Sequence, residues 1–398
     1  MTSPSFSKQD TALGRATTYL NALIAYNTVS HRSNRAIIEY LQDHLQGLGA
    51  DIVLLPDRTG EKLNLIARFG PADACGIVFS GHTDVVPANE AGWLTDPFVM
   101  DTRNERLYGR GACDMKGFLA CVLAVADTLD ASKLRRPLYM CFSYDEEIGC
   151  LGAPDIARYL AALEVPPELA IIGEPSLMKL VTGQKGKIAM RGHARGTTGH
   201  SSFAPDHVNA IEYAARAIGM IADHALAYRE HGPFDPEFTV PHATMLTLLA
   251  QGGVATNVTP GECQFTFELR SLSGMDAQGD IRSLTAKIDR RLGAAMAEIA
   301  QDAGFTWDQI FAYPAMGDAR ATAGFARYAG VMPDWGGKVS YGSEGGVFET
   351  IGKIPSVIIG PGSIGQAHKP NEYVETAQLH ECIKFLTRMT DALSHPQG

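Results

Sequence analysis

Residues 142–149 read FSYDEEIG, an apolar and aromatic run that leads straight into Asp145, Glu146 and Glu147. Adjacent carboxylates at the end of a buried strand repel one another, so something must compensate them. Divalent cations do so, because they are the largest local charges wherever they bind. Other apolar segments end in the same way. GIVFSGHTD (76–84) delivers His82 and Asp84, and RLYGRGACDMKG delivers Asp114 just before a second apolar stretch. ELAIIGEPS delivers Glu174, and SVIIGPGSIGQAHKP delivers His368. Carboxylate and imidazole donors without a thiolate form the pattern of a metal site. On extended backbone Glu146 and Glu147 point to different sides. One can therefore ligate metal while the other faces the bound water as general base.

Taken singly, each residue has an ordinary explanation. A histidine and an aspartate two apart often form a capping pair, and an acidic run is often a solvated strand end. Asp114 could cap the helix that follows it. Glu174 could be a loop acid before its proline, and His368 could lie exposed beside Lys369. Their joint occurrence at the ends of apolar segments sets them apart. His31, His44, His193, His207, His224, His231, His242, His380 and His395 lack that context and read as structural or surface residues. Cys113 and Cys150 read as packing residues.

The positioning elements follow from the hydrophobic pattern. SNRAIIEYLQDHLQGLG (33–49) has helical spacing, with Ser33 or Asn34 as the cap. GIVFSGHTD and PLYMCFSYD are short continuous apolar runs, as expected of strands buried on both faces. MKGFLACVLAVADTL (115–129) reads as a buried helix between them. Strands alternating with helices predict an α/β domain with a mostly parallel sheet, and such sheets bind ligands beyond the carboxyl ends of their strands. Near residue 185 the texture changes. KIAMRGHARG, ATMLTLLAQGG and ECQFTFELRSL alternate as half-exposed strands, with long helical segments between and after them. After about residue 315 the buried-strand character returns in IPSVIIGPGS. The expected architecture is one α/β domain over 1–184 and 315–398, interrupted by an inserted α+β domain over 185–314.

The 398 residues are 45% hydrophobic and 20% charged, which fits a soluble globular chain. A net charge of -10 with no lysine/arginine block argues against a nucleic-acid partner. The Cys residues, 7 in all, are scattered without a CxxC pair, so reduced thiols and no cysteine zinc site are expected. The start MTSPSFSKQDTALGRATTYL has no apolar core of a signal peptide, and no apolar run approaches membrane-spanning length. A cytoplasmic location with no membrane partner is the expectation.

GHTDVVP, GRGACDMKG, SYDEEIGCLG, GEPS and GPGSIGQAHKPNEYV, in this order and spacing, resemble the M20 metallopeptidase/deacylase family across nearly the whole chain. Within it, TVSHRSNRAIIEYLQDHLQGLG, SFAPDHVNAIEYAARAI and the AHKPNEY ending are most similar to the acetylornithine deacetylases. The resemblance implies a di-metal hydrolase domain holding two divalent ions, zinc or cobalt, with the inserted domain serving as lid and homodimer interface. It also implies a small N-acyl amino acid as substrate, N2-acetyl-L-ornithine first among them. By position, Asp114 matches the bridging carboxylate, His82 and Glu174 the ligands of one metal, and Glu147 and His368 those of the other. Glu146 matches the general base, and Asp84 the acid that orients His82, as ligating imidazoles need. A cis peptide after the bridging acid, here Asp114–Met115, is also implied. His200 matches a histidine that approaches the scissile carbonyl, typically from the partner subunit. Asn257 and Arg270 match positions that hold the substrate carboxylate, and Glu344 is a candidate partner for a substrate ammonium.

The chain departs from that pattern at three places. GQKG (183–186) stands where the deacetylases usually read GHKG, GTTGHSS where they read RAAHSS, and GSEGG where they read GTEAG. These leave the metal set untouched and bear on acyl or side-chain preference. Succinyl-diaminopimelate desuccinylase, dipeptidase and aminoacylase activities are the alternatives. A non-catalytic metal- or peptide-binding relative is a more distant one, and it would have no use for a base at Glu146.

Overall fold

The structure, a computed structural model, describes residues 11–395. It divides into two compact units. The first contains the chain up to Gly183, Met316–Lys338, and the chain from Ser343 onward; the second contains Gln184–Ala315 and Val339–Gly342. The return of Val339–Gly342 to the second unit has no counterpart in the pattern of the sequence, where the insertion reads as one continuous block.

In chain order the first unit begins with strands β1 (Asp51–Pro56), β2 (Leu63–Phe69), β3 (Ile77–His82), β4 (Asp101–Arg103), β5 (Arg106–Tyr108), β6 (Leu138–Ser143), β7 (Leu169–Ile172) and β8 (Leu180–Gln184). The second unit carries β9 (Gly186–Arg195), β10 (Gly199–His200), β11 (Thr244–Gly252), β12 (Val258–Thr259), β13 (Glu262–Ser271) and β14 (Gly304–Tyr313). Then follow β15 (Trp335–Val339), β16 (Ser356–Ile358) and β17 (Tyr373–Glu375).

The large sheet has the order β1-β2-β6-β3-β7-β16-β8-β15. Its centre is parallel: β3 pairs in parallel with β6 and β7, and β16 with β7. Every residue of β3, β6, β7 and β16 is buried. The mainly apolar character of these strands follows from helices that cover a parallel sheet on both faces. Helix Lys116–Ala126 is itself buried along its whole length, between the sheet and helices Ala12–Ile24 and Thr376–Ser394. Each fully buried leucine, isoleucine or phenylalanine there is worth about 1.5–3 kcal/mol. This helix comes close to the chain at Gly173, just past β7, where a Cβ would stand 2.1 Å from the ring of Phe118. Only glycine lets β7 run this close to the helix and still carry Glu174 one residue later.

The second unit is a four-stranded antiparallel sheet in the order β11-β13-β9-β14. Strand β13 alternates buried and less buried residues, with Phe265, Phe267 and Leu269 turned into the core. Ala214 and Ile221 from helix Ala210–His231, and Ile281 and Leu284 from helix Ala277–Ile288, pack on that face. Asn209 caps the first of these helices by accepting hydrogen bonds from the amides of Ile211 and Glu212. Strand β11 lies at an edge, and its Leu246, Leu248 and Leu249 are exposed, as are Ile211 and Leu226 on the neighbouring helix. No helix among the described residues is long and apolar enough to cross a membrane. All the cysteines are free thiols.

Candidate metal centre

Parallel strands all end at one edge of a sheet, so what each carries past its last residue meets there. Strand β3 ends in His82, β6 leads to Glu146 and Glu147, β7 to Glu174, and β16 into the loop bearing His368. Asp114 arrives from the loop after β5, and the peptide Asp114–Met115 is cis. His82, Asp114 and Glu147 place ligand atoms within 4.8 Å of one another, and so do His82, Glu146 and Glu174.

Asp114 sits between the two histidines. Its Oδ1 is 3.1 Å from His82 Nε2 and its Oδ2 is 3.3 Å from His368 Nε2. Glu147 lies 3.0 Å from His368 Nε2, and Glu174 lies 3.7 Å from His82 Nε2. One carboxylate thus spans two histidine–glutamate pairs, the geometry a bridging ligand needs. Glu174 is 3% exposed, and its Oε1 has no hydrogen-bond partner among the described residues. A buried carboxylate oxygen left without a donor is costly; a cation at this position removes that cost. The residues present therefore fit two divalent ions held by nitrogen and oxygen.

The electrostatics express the same need. Burial pushes the Glu146 and Glu174 carboxyls well above the usual range, and the neighbouring acids push further in that direction. Burial and Asp114 carry Glu147 up to about 7. Burial opposes the charge of His82, yet the hydrogen bonds it donates to Asp114 and Asp84 hold its pKa well above the ordinary value. Asp114 and Glu147 raise His368 to about 10. Without a cation, protons take up the clustered negative charge; a divalent ion displaces them.

Asp84 is more than an orienting partner for His82. The His82 Nδ1 lies 2.9 Å from the Asp84 carbonyl oxygen and 3.5 Å from its carboxylate. The carboxylate accepts from the amides of Glu146 (3.1 Å) and Glu147 (3.3 Å) and from the Ser30 hydroxyl at 2.7 Å. It therefore ties the turn that carries both glutamates to strand β3. Asp145, the first of the three consecutive acids, is paired with Lys62 and stays out of the cluster. Cys150, read from the sequence as packing, donates its thiol to Glu146 Oε1 at 3.4 Å. The buried pair Arg110 and Glu372, which the motif reading passed over, contacts the backbone at Asp114.

The expectation for Glu344 needs correction. It is 1% exposed and accepts hydrogen bonds from Ser80 of β3 and Ser143 of β6. A carboxylate engaged on both oxygens within the sheet presents no face to a substrate ammonium.

His200, Asn257 and Arg270 belong to the second unit. His200 is exposed in the short β10–β12 ladder, its Nδ1 2.7 Å from the Ser202 hydroxyl. Asn257 is beside it, since its carbonyl accepts the Ser201 amide at 3.1 Å. Arg270 pairs with Glu268 and donates to the Tyr313 hydroxyl and the Ser340 carbonyl. It lines a cavity of about 370 Å³ together with Lys185, Val240, Thr244 and Tyr341. In the β13–β9 ladder Arg270 stands opposite Lys187, whereas the end near His200 has Glu262 opposite Arg195. At about 3.4 Å per residue these ends are roughly 27 Å apart. The structure thus separates Asn257 from Arg270, which the sequence reading had placed on one carboxylate.

The profile of peptidase family M20/M25/M40 matches residues 78–392. The chain is 33% identical over 382 residues to an acetylornithine deacetylase of Klebsiella pneumoniae (strain 342), covering 92% of this chain and 95% of that protein. To an acetylornithine deacetylase of Photorhabdus laumondii subsp. laumondii it is 31% identical over 368 residues, with 90% and 91% covered. Among solved structures, the M20 family metallo-carboxypeptidase Sso-CP2 from Sulfolobus solfataricus shares the fold. Its TM-score is 0.72 at 18% identity, over 95% of this chain and 99% of that one. With the strand-end histidines and carboxylates already in place, these likenesses assign the chain to the M20/M25/M40 peptidase family of hydrolases.

Proposed function

We propose that this protein hydrolyses the amide bond of an N-acyl amino acid, N2-acetyl-L-ornithine foremost, giving a carboxylate and a free amine. The observation that carries the reading is Asp114 spanning the His82–Glu174 and His368–Glu147 pairs with Glu146 alongside. When bound, two divalent ions, zinc or cobalt, would polarise the scissile carbonyl and lower the pKa of the attacking water. Glu146 takes a proton from that water and returns it to the leaving nitrogen. Burial raises the Glu146 carboxyl above its ordinary value, the direction that favours a carboxylate acting as a general base. His200 supplies a hydrogen bond to the developing oxyanion, a type of contact typically worth about 3–4 kcal/mol. A cytoplasmic setting with small-molecule substrates accompanies this reading.

The identities of about one third with acetylornithine deacetylases support the substrate choice. Hydrolysis of N2-acetyl-L-ornithine is expected to exceed that of N-succinyl-diaminopimelate and of plain dipeptides at least tenfold in kcat/KM. That ratio corresponds to about 1.4 kcal/mol of discrimination. A panel assayed on the purified, metal-loaded protein measures it, and preference for a succinyl or bulkier donor overturns the assignment.

The reading includes a homodimer formed through the second unit, with His200 acting on the partner's substrate. Two observations support it. The apolar edge strand β11 is a surface that a second copy can extend. The separation of His200 from Arg270 leaves a small substrate unable to touch both in one chain. Mixing Glu146→Ala with His200→Ala subunits tests this. In a hybrid, the His200→Ala chain keeps its own Glu146 and receives His200 from its partner. Equal amounts pair at random into about half hybrids, so about a quarter of all sites recover. Activity that stays at the level of the two parents means His200 acts within its own chain.

A further inference from the structure

Arg110 and Glu372 are charged residues that are 0% and 1% exposed, respectively. Their side chains meet at 2.8 Å between Arg110 Nη1 and Glu372 Oε2. Removing two charges from water is costly, and the attraction between them offsets that cost only when their remaining donors and acceptors are also satisfied. Arg110 Nε is buried without a hydrogen-bond partner among the described residues, but the other groups are satisfied, and their partners are informative. Glu372 Oε1 accepts from the backbone amides of Cys113 (2.9 Å) and Asp114 (3.0 Å). Arg110 Nη2 donates to the Pro87 carbonyl at 3.1 Å and to Glu90, and Nη1 also reaches the Lys369 carbonyl at 3.4 Å.

These contacts join the segments around the metal cluster. Strands β5 and β17 pair antiparallel, Tyr108 opposite Tyr373, and the Gly109 amide extends the ladder by donating to the Glu372 carbonyl at 3.0 Å. The chain leaves this ladder on one side towards Asp114 and enters it on the other from His368. Beyond the ladder, the Arg110–Glu372 pair connects the two, alongside the Cys113 thiol, which donates to the Ser363 carbonyl at 3.3 Å, and the Asp114–His368 contact itself. The pair fixes the Asp114 amide on one oxygen and, through the guanidinium, the carbonyl next to His368. The contacts to Pro87 and Glu90 add the segment that follows Asp84.

We propose that Arg110 and Glu372 are a positioning pair that sets the placement of Asp114 relative to His368, and so the geometry of the cations held there. The pair acts through backbone and touches neither substrate nor cation. This inference rests on the reading of Asp114 and His368 as metal ligands.

The test is cobalt(II) titration of the metal-free protein, followed by calorimetry and by the visible ligand-field absorption of the bound ion. Glu372→Ala and Arg110→Met are expected to weaken cobalt binding about 10- to 100-fold, the usual effect of losing a group that supports a ligand. Their absorption at saturating cobalt is expected to differ from that of the unsubstituted protein. Glu372→Gln keeps an oxygen for the two amides and loses less than Glu372→Ala. If the alanine variant does not fold, the glutamine variant carries the comparison. Glu168→Ala is the structural control, because Glu168 binds Arg136, Arg327 and Tyr328 at the start of β7, the end remote from Glu174. It is expected to lower thermal stability and leave the cobalt spectrum unchanged. Unchanged cobalt affinity and spectrum in the Glu372 and Arg110 variants overturn the proposal. Equal changes in Glu168→Ala overturn it as well, since they would mean general destabilisation. Failure of the unsubstituted protein to bind cobalt removes the metal reading itself, and this inference with it.

Discussion

Glu146→Gln is expected to lower kcat about 10²- to 10⁴-fold or more while both cations stay bound and the fold persists. The amide has nearly the shape of the carboxylate but cannot take a proton from water. Backbone contacts that hold the turn, from the Glu146 and Glu147 amides to Asp84, do not involve the substituted group. KM is expected to change little, because the lost interaction belongs to the transition state. Glu147→Gln behaves differently. Its carboxylate is 3.0 Å from His368 Nε2, so the substitution weakens retention of one cation, and activity returns in part at high metal concentration. Metal analysis beside steady-state kinetics separates the two. The roles are reversed if the Glu146 variant loses metal and the Glu147 variant keeps it.

Much of the metal cluster is legible because its residues stand at the ends of buried, mainly apolar strands. His82 is the last residue of β3, and Glu146, Glu147 and Glu174 come just after β6 and β7; all three strands are buried and mainly apolar, so acids and a histidine at their ends stand out. The strand-end rule then assigns them to one edge without any knowledge of the fold. What escaped depends on partners far away in the chain. Glu344 reads as a loop acid among glycines, and its burial follows from Ser80 and Ser143, residues 264 and 201 positions away. Glu372 reads as one more polar residue in HKPNEY until the amides of Cys113 and Asp114 appear beside its oxygen. Asn257 and Arg270 each match a substrate-binding position, but Arg270 stands at one end of the β13–β9 ladder while Asn257 lies outside it, beside Ser201. Cys150 is buried, as a packing residue would be, and only the geometry of the turn shows its thiol at Glu146.

Removal of metal is the second large effect. Stripping the cations leaves Asp114, Glu146, Glu147 and Glu174 clustered at the sheet edge, with Glu174 Oε1 unpartnered. Activity is expected to fall to background and to return on adding zinc or cobalt. The metal-free protein is expected to melt at a lower temperature, since an ion at a hundred times its Kd stabilises by about 2.7 kcal/mol per site. The most direct measurement follows both consequences together. Metal-free protein is titrated with zinc while bound metal, thermal stability and N2-acetyl-L-ornithine hydrolysis are recorded at each step. The predicted result is saturation at two ions per chain, with stability and hydrolysis rising as the sites fill. Hydrolysis at full rate in thoroughly chelated protein, or saturation without any amide hydrolysis across N-acyl amino acids and dipeptides, contradicts the account.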